Sequence, residues 1–323
     1  MSLKPRLTTF ANNPLDRAGH ERADPGWVGE KLNSPDSLIM LLWNGMPLVL
    51  PEAQAGAGRD VAWLPHPAIK AFSNLADTEP VFLGINTRGA PRFYLDISAI
   101  PDPTTDAALA PMMSAGGAFE NLRELAVAAD MPGGELAIIA QAKGLAEWHN
   151  MNPFCSRCGT KTEIEEAGYK RRCPSCGAEH FPRTDPVVIM LPIKGDQALL
   201  GRQAGWPEAL FSALAGFMEP GETIEEAVAR ETMEEAGLPV TQVRYHATQP
   251  WPFPASLMIG CHAEVDHMDF TVDEKELAEA RWFSRDELKR AMVGDSDLMV
   301  PPSMAIAHQL IKAFVEASDG FSR

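Results

Sequence analysis

Positive charge is what this sequence most lacks: 28 Lys and Arg stand against 44 Asp and Glu in 323 residues, a formal charge of −16. Non-specific nucleic-acid binding draws its affinity from clustered cations that release counterions, so a general polyanion-coating role is excluded. Long apolar runs are absent as well. None approaches the roughly 20 residues needed to cross a bilayer, and the opening Met1-Ser2-Leu3-Lys4-Pro5 has no signal-type apolar region. The closing Phe321-Ser322-Arg323 differs from the peroxisomal Ser-Lys-Leu address. The expectation is a cytoplasmic protein with no membrane partner. Cysteine is scarce, at five residues; two disulfides are the alternative to a metal site, but a cytoplasmic protein keeps its cysteines reduced. What is plentiful is apolar residue, 45% of the chain, enough for two substantial cores with a small module between them.

The first stretch, residues 1–148, carries β signals. Leu38 to Trp43 and Met46 to Leu50 flank Asn44-Gly45, the pair favoured in a type I′ hairpin. Pro80 to Asn86 and Arg92 to Ile97 flank a second turn, Thr87 to Pro91. Ala-rich helical patterns follow over Asn121 to Ala129 and Gly134 to His149, broken by Pro132-Gly133-Gly134. An α+β domain is expected here.

Residues 149–182 hold four of the five cysteines as Cys155-x2-Cys158 and Cys173-x2-Cys176. Each pair is followed by glycine, so each suits a tight turn that aims two thiolates at one ion; four thiolates complete a tetrahedral structural Zn²⁺ site. That closed site leaves no open position for catalysis. Cys261 lies in an apolar strand-like run and reads as packing.

In residues 183–323 the informative segment runs from Gly216 to Leu238. Thr223 with Glu226 forms a capping-box pattern, and Gly237 suits a left-handed C-terminal cap, so a helix is expected from about Ile224 to Ala236. Glu231, Glu234 and Glu235 then fall at i, i+3 and i+4 on one face, where like charges repel unless a cation joins them. Hard oxygen ligands suit Mg²⁺ or Mn²⁺. A purely solvated acidic helix is the bland alternative.

This segment resembles the Nudix box, G-x5-E-x7-R-E-U-x-E-E-x-G-U, at every fixed position; Thr232 departs from it by replacing an aliphatic residue. The resemblance implies that Glu231, Glu234 and Glu235 bind divalent cations, with Glu234 or Glu235 also activating water. It implies that Arg230 orients a glutamate, that Glu222, Gly216 and Gly237 support the box, and that the backbone of Ala215 approaches the metal. Beyond the box, Gln249-Pro250-Trp251-Pro252-Phe253-Pro254-Ala255-Ser256 resembles the array that marks the NADH pyrophosphatase branch, a zinc-ribbon-containing branch that also removes NAD caps from RNA. Its prolines stiffen the segment, Trp251 and Phe253 offer planes on which a base stacks, and Gln249 and Ser256 offer hydrogen bonds. The same resemblance assigns a further metal ligand to Glu276 and pocket-lining positions to Phe181 and Ala307.

The implied fold is α/β: a Nudix α/β/α sandwich with a mixed sheet, preceded by the zinc ribbon and by a diverged Nudix-like N-terminal domain of α+β type. Closing helices are expected after Ser284, which with Glu287 repeats the capping-box pattern, and over Ser303 to Ala317. The implied activity is hydrolysis of NADH and NAD⁺ to nicotinamide mononucleotide and AMP by a homodimer. NAD-capped RNA is a further substrate, with Lys170, Arg171 and Arg172 as the cations expected to hold it. Rival readings are a Nudix hydrolase of ADP-ribose or diadenosine polyphosphate, and a binding module with a silent Nudix domain.

Overall fold

The computed structural model describes residues 8–51, 58–69, 72 and 78–317. The two chain ends read above for targeting lie outside them. The chain divides into two compact units. One is built from Phe10–Arg183 and Pro252–Ala255; the other gathers Thr8 and Thr9, Thr184–Trp251 and the chain from Ser256 onward.

In the first unit, helix α1 (Pro25–Leu32) precedes the hairpin of β1 (Leu38–Trp43) and β2 (Met46–Pro51). Asn44 (φ 51°) and Gly45 (φ 72°) form the turn, both left-handed as the Asn-Gly pair predicts. Short strands β3 (Arg59–Val61) and β4 (Leu64–Pro65), short helix α2 (His66–Ile69), the hairpin β5 (Val81–Ile85) and β6 (Pro91–Asp96), short helix α3 (Ala110–Ser114) and β7 (Ala118–Phe119) complete the sheet region. The sheet order is β3-β2-β1-β6-β5, with β4 on β1 and β7 on β2. Strand β1 pairs parallel with β6 and so sits at the centre. Ile39, Met40, Leu41 and Leu42 are all fully buried, the continuous apolar run of a strand covered on both faces. Helices α4 (Leu122–Ala128) and α5 (Gly133–Met151) follow, within two residues of the bounds expected from periodicity.

The ribbon belongs to this unit. Its strands β8 (Glu163–Glu165), β9 (Lys170–Arg172) and β10 (Glu179–His180) form a separate antiparallel sheet. Arg171 is 6% exposed and donates to the Thr162 hydroxyl at 2.6 Å, to the Thr162 carbonyl at 3.1 Å, and to His149 Nδ1 at 3.0 Å. Since guanidinium can only donate, Nδ1 accepts, and Nε2–H of His149 must donate to the Gly168 carbonyl at 2.9 Å. Helix α5 and the ribbon are thereby joined through one neutral imidazole.

The second unit has a six-stranded mixed sheet. Its strands are β11 (Asp185–Lys194), β12 (Gln197–Arg202), β13 (Leu214–Phe217), β14 (Val240–Trp251), β15 (Ser256–Val265) and β16 (Glu279–Ser284). The order is β14-β15-β11-β12-β16, with β13 on β11, and only β11 and β15 run parallel among these pairs. Alternation along β11 creates two cores. Val188 and Met190 face a cluster with Ala227, Val228 and Ala236 of α6 (Ile224–Ala236). Ile189, Leu191 and Ile193 face a cluster with Leu288 of α7 (Arg285–Met292) and Ile306, Leu310 and Phe314 of α8 (Ile306–Glu316). Helices thus cover both faces, an α/β/α sandwich with a mixed sheet. Among the described residues no helix is long and apolar enough to cross a membrane.

Burial, then the neighbouring Arg171 charge, holds the His149 imidazole down from 6.5 to about 4. The unfolded chain therefore binds a proton that the folded chain refuses, and stability is lost as pH falls from 6.5 toward 4. The full loss attached to this group is about 3 kcal/mol. Urea unfolding between pH 7 and pH 4 should show this acid limb, and His149→Gln should flatten it.

Candidate metal centre and substrate array

Helix α6 begins where its sequence says it should. Thr223 accepts the Glu226 N–H at 3.2 Å while the Glu226 carboxylate accepts the Thr223 N–H at 2.8 Å. Gly237, at φ 64°, caps the other end. The buried Thr232, the departure from the box, donates its hydroxyl to the Val228 carbonyl one turn back at 2.7 Å, so the polar atom is satisfied inside the helix.

With the helix fixed, Glu231 and Glu235 lie one turn apart on a buried face, 7% and 5% exposed. Glu276 joins them, each offering one oxygen within 4.8 Å of the others. It arrives because carbonyls left free at the C-terminal end of α6 take new donors. The Ala236 carbonyl accepts from Thr271 N–H at 2.9 Å and that of Glu235 from Asp273 N–H at 3.2 Å. The Asp273 side chain then accepts from Lys275 N–H at 3.0 Å, turning the chain toward Glu276. Asp273 is a positioning residue that the motif reading passed over; its signal was the Asp-x-Lys turn. Glu234 stands apart from the three-carboxylate group. It is exposed and takes a hydrogen bond from Arg230 at 3.0 Å.

Arg230 orders this face. It donates to both oxygens of Glu222 at 2.6 and 2.9 Å, to Glu231 at 2.7 Å and to the Phe217 carbonyl at 2.9 Å. Its hydrogen bonds hold the Glu222 carboxyl down to about 2 and raise the guanidinium's own pKa. Burial pushes Glu231 up, and burial with the charges of Glu231 and Glu276 pushes Glu235 up to about 8, against a hydrogen bond from the Ala215 backbone. Glu235 Oε2 is buried with no hydrogen-bond partner. A vacant carboxylate lone pair among like charges fits a divalent cation. Gly216 on β13 fits it too: a Cβ there would stand 1.9 Å from the Glu231 carboxyl carbon. Only glycine lets that carboxylate lie against the strand.

The four ribbon thiols converge from two matching turns. Gly159 N–H reaches the Cys155 carbonyl at 2.8 Å and Gly177 N–H the Cys173 carbonyl at 3.0 Å. Sulfur separations are 3.7 Å for Cys155 to Cys176 and 3.4 Å for Cys158 to Cys173. All four lie within one ligand sphere, which is the donor set of a structural zinc site. Hydrogen bonds with the Thr160 hydroxyl and backbone lower the Cys158 thiol to about 6, whereas Cys176, against a hydrogen bond from the Ala178 backbone, is raised to about 11 by the Cys158 thiol and burial, so the crowded sulfurs need a cation to ionise together.

The array after the box is divided between tasks. Gln249, on β14, has no exposed surface; its amide donates to the Met304 carbonyl at 2.7 Å and the Thr9 carbonyl at 3.2 Å, and accepts from Ile306 N–H at 2.8 Å. Trp251 pairs with Ser256, Pro250 with Leu257, at the turn end of the β14–β15 hairpin. Pro252, Phe253, Pro254 and Ala255 form the connecting turn. The Phe253 ring meets Phe10 edge-on at 5.9 Å and the Arg123 guanidinium at 4.6 Å.

Comparison with known proteins places these sites in a family. Residues 36–148 match the NADH pyrophosphatase-like rudimentary NUDIX domain, 152–181 the NADH pyrophosphatase zinc ribbon domain, and 183–301 the NUDIX domain. The chain belongs to the NADH pyrophosphatase branch of the Nudix hydrolases. The human protein called NAD-capped RNA hydrolase NUDT12 is 36% identical over 95% of this chain and 73% of its own length. The Mycobacterium bovis protein called NAD-capped RNA hydrolase NudC is 38% identical over 93% of this chain and 94% of its own. The mouse mitochondrial NAD(P)H pyrophosphatase NUDT13 is 44% identical over 62% of this chain and 60% of its own.

Within this Nudix hydrolase one expected contact takes another role. Gln249 was expected to bond the substrate, but its amide is committed inside the fold. Ala307 is 3% exposed and packs in the α8 core, and Ser256 is buried at 9%. Phe181 is 57% exposed and remains available to a ligand or partner. The expected RNA cations are neutralised locally: Lys170 is bonded to Glu165, Glu166 and Glu179, Arg172 to Glu179, and Arg171 is buried. Of the three, Arg172 alone keeps a half-exposed side chain.

Two outcomes test this reading of the centres. Gly216→Ala should displace Glu231 and cost roughly a hundred-fold in kcat while circular dichroism and melting stay near wild type. Cys173→Ser should instead lower the melting temperature and release zinc measured by a chromogenic chelator; a mutant with unchanged stability would contradict a structural site.

Proposed function

We propose that this Nudix hydrolase cleaves the pyrophosphate of NADH, and less efficiently of NAD⁺, to reduced or oxidised nicotinamide mononucleotide and AMP, and that it removes NAD caps from RNA by cleaving the same bond. The observation that carries the reading is the convergence of Glu231, Glu235 and Glu276 beside Gly216. The names of the relatives above point to these substrates.

Water oxygen attacks one phosphorus, the bond from that phosphorus to the bridging oxygen breaks, and the bridging oxygen leaves on the other phosphate. Mg²⁺ or Mn²⁺ would neutralise the developing charge and make bound water more acidic. Glu231, Glu235 and Glu276, with the Ala215 backbone, are the groups that would hold it. Arg230 keeps Glu231 and Glu222 in place. Glu234, exposed outside the ligand group, offers a carboxylate to take the proton released by water. The protein acts in the cytoplasm as a homodimer in this proposal; the exposed Phe154 and Phe181, 61% and 57%, support self-association.

The test is a mass-spectrometric product assay on NADH, NAD⁺, ADP-ribose and diadenosine tetraphosphate, with and without Mg²⁺ or Mn²⁺, on protein whose mass in solution is measured alongside. Metal-dependent AMP and reduced nicotinamide mononucleotide from NADH are expected, with Glu234→Gln lowering kcat at least about a hundred-fold. Preference for another panel member would move the substrate, and full turnover by Glu234→Gln would remove its assigned role.

A further inference from the structure

Between Thr271 and Glu279 only Leu277 is buried, at 5% exposed, and it directly follows the exposed Glu276. Its side chain enters the core cluster that α6 covers, with Leu199, Leu214 and Val228. How deeply Leu277 seats therefore sets where Glu276 stands. The seat is Gly201 of β12. A Cβ there would lie 3.1 Å from both Leu277 methyl carbons and 2.9 Å from a Leu214 methyl carbon.

Backbone geometry gives no reason for a glycine at this position. Gly201 pairs with Ala280 of β16 and exchanges two 2.9 Å backbone hydrogen bonds with Ser212, in a negative-φ conformation open to any residue. Glycine weakens the interior of a strand, and its presence there marks a close approach. Leu199, two residues earlier on the same face, puts its side chain into the same cluster, so the missing Cβ would point there as well. The two leucines are not equally able to yield. Leu214, 1% exposed, is held in β13 by its pairing with β11, whereas the residues flanking Leu277 are exposed. An added methyl would push Leu277 outward, and Glu276 would move with it, away from Glu231 and Glu235.

We propose that Gly201 is a positioning residue of the carboxylate centre: its bare Cα seats Leu277 beside Leu214 and so holds Glu276 within reach of the cation shared with Glu231 and Glu235. The inference rests on the reading of that centre as a divalent-cation site.

The test titrates Mn²⁺ into the full chain, stripped of loosely held metal, and follows free Mn²⁺ by electron paramagnetic resonance. Wild type, Gly201→Ala, Glu276→Gln and the double variant are compared. Expected is roughly ten-fold weaker binding in Gly201→Ala, with no further loss when Gly201→Ala is added to Glu276→Gln, since both act through one carboxylate. The Mn²⁺ concentration giving half-maximal turnover of NADH should rise in step. Should Gly201→Ala fail to fold, Leu277→Ala empties the same seat from the other side and should weaken Mn²⁺ binding likewise. Unchanged Mn²⁺ affinity, or a loss that adds to that of Glu276→Gln, would overturn the role of Gly201 and leave the metal reading standing. If wild type and Glu276→Gln bind Mn²⁺ equally, Glu276 is no ligand, and the reading of the centre falls together with the proposal.

Discussion

Three carboxylates that repel one another set the terms for the catalytic unit. Glu231 and Glu235 are buried, and Glu276 is brought to them from 41 positions along the chain from Glu235. Holding like charges in such a place requires a rigid frame, and each nearby feature supplies part of it. The capping box and Gly237 fix the length of α6, Arg230 neutralises its near side, and the free carbonyls at its end dock the Glu276 loop. Gly216 gives the space. What the frame leaves unanswered is the charge itself, and a cation answers that.

Much of this was legible because local chemistry determined it. Thr223, Glu226 and Gly237 announce the ends of α6, and Asn44-Gly45 announces a hairpin, since both depend on a few neighbouring residues. The four cysteines were readable for the same reason. The parallel pairing of β1 with β6 was not, because nothing local distinguishes a centrally placed apolar strand from an edge one until its partner is known. Nor could the roles of Gln249 and Arg171 be read. Each is a polar residue whose partners lie far along the chain or are backbone carbonyls, and a sequence displays the donor without showing where it points. Of the cations at 170–172 that made a patch on paper, Lys170 and Arg172 form ion pairs in the fold and Arg171 is buried.

The ribbon is an extension of the N-terminal core. Arg171 and His149 couple β9 to α5, the Arg22 guanidinium lies 3.7 Å over the Tyr169 ring, and Gly168 sits so close to Val81 that a Cβ would meet it at 2.4 Å. Zinc held by the four thiolates would thus stabilise more than its own thirty-odd residues, because the ribbon meets that core through packed side chains with little room to yield.

Gln249 has a consequence for how the chain can be divided. Its amide is sealed in the catalytic unit, yet one of its acceptors, the Thr9 carbonyl, precedes the whole N-terminal domain, and the Thr8 hydroxyl adds a 2.8 Å bond to the Thr248 carbonyl. The sandwich is therefore not a contiguous cassette. Excision at the ribbon would strand a buried amide hydrogen, at a cost of roughly 1–3 kcal/mol. Swapping catalytic domains between relatives would have to carry the opening strap along with the Nudix fold, so the two travel as one inheritable piece despite their separation in sequence.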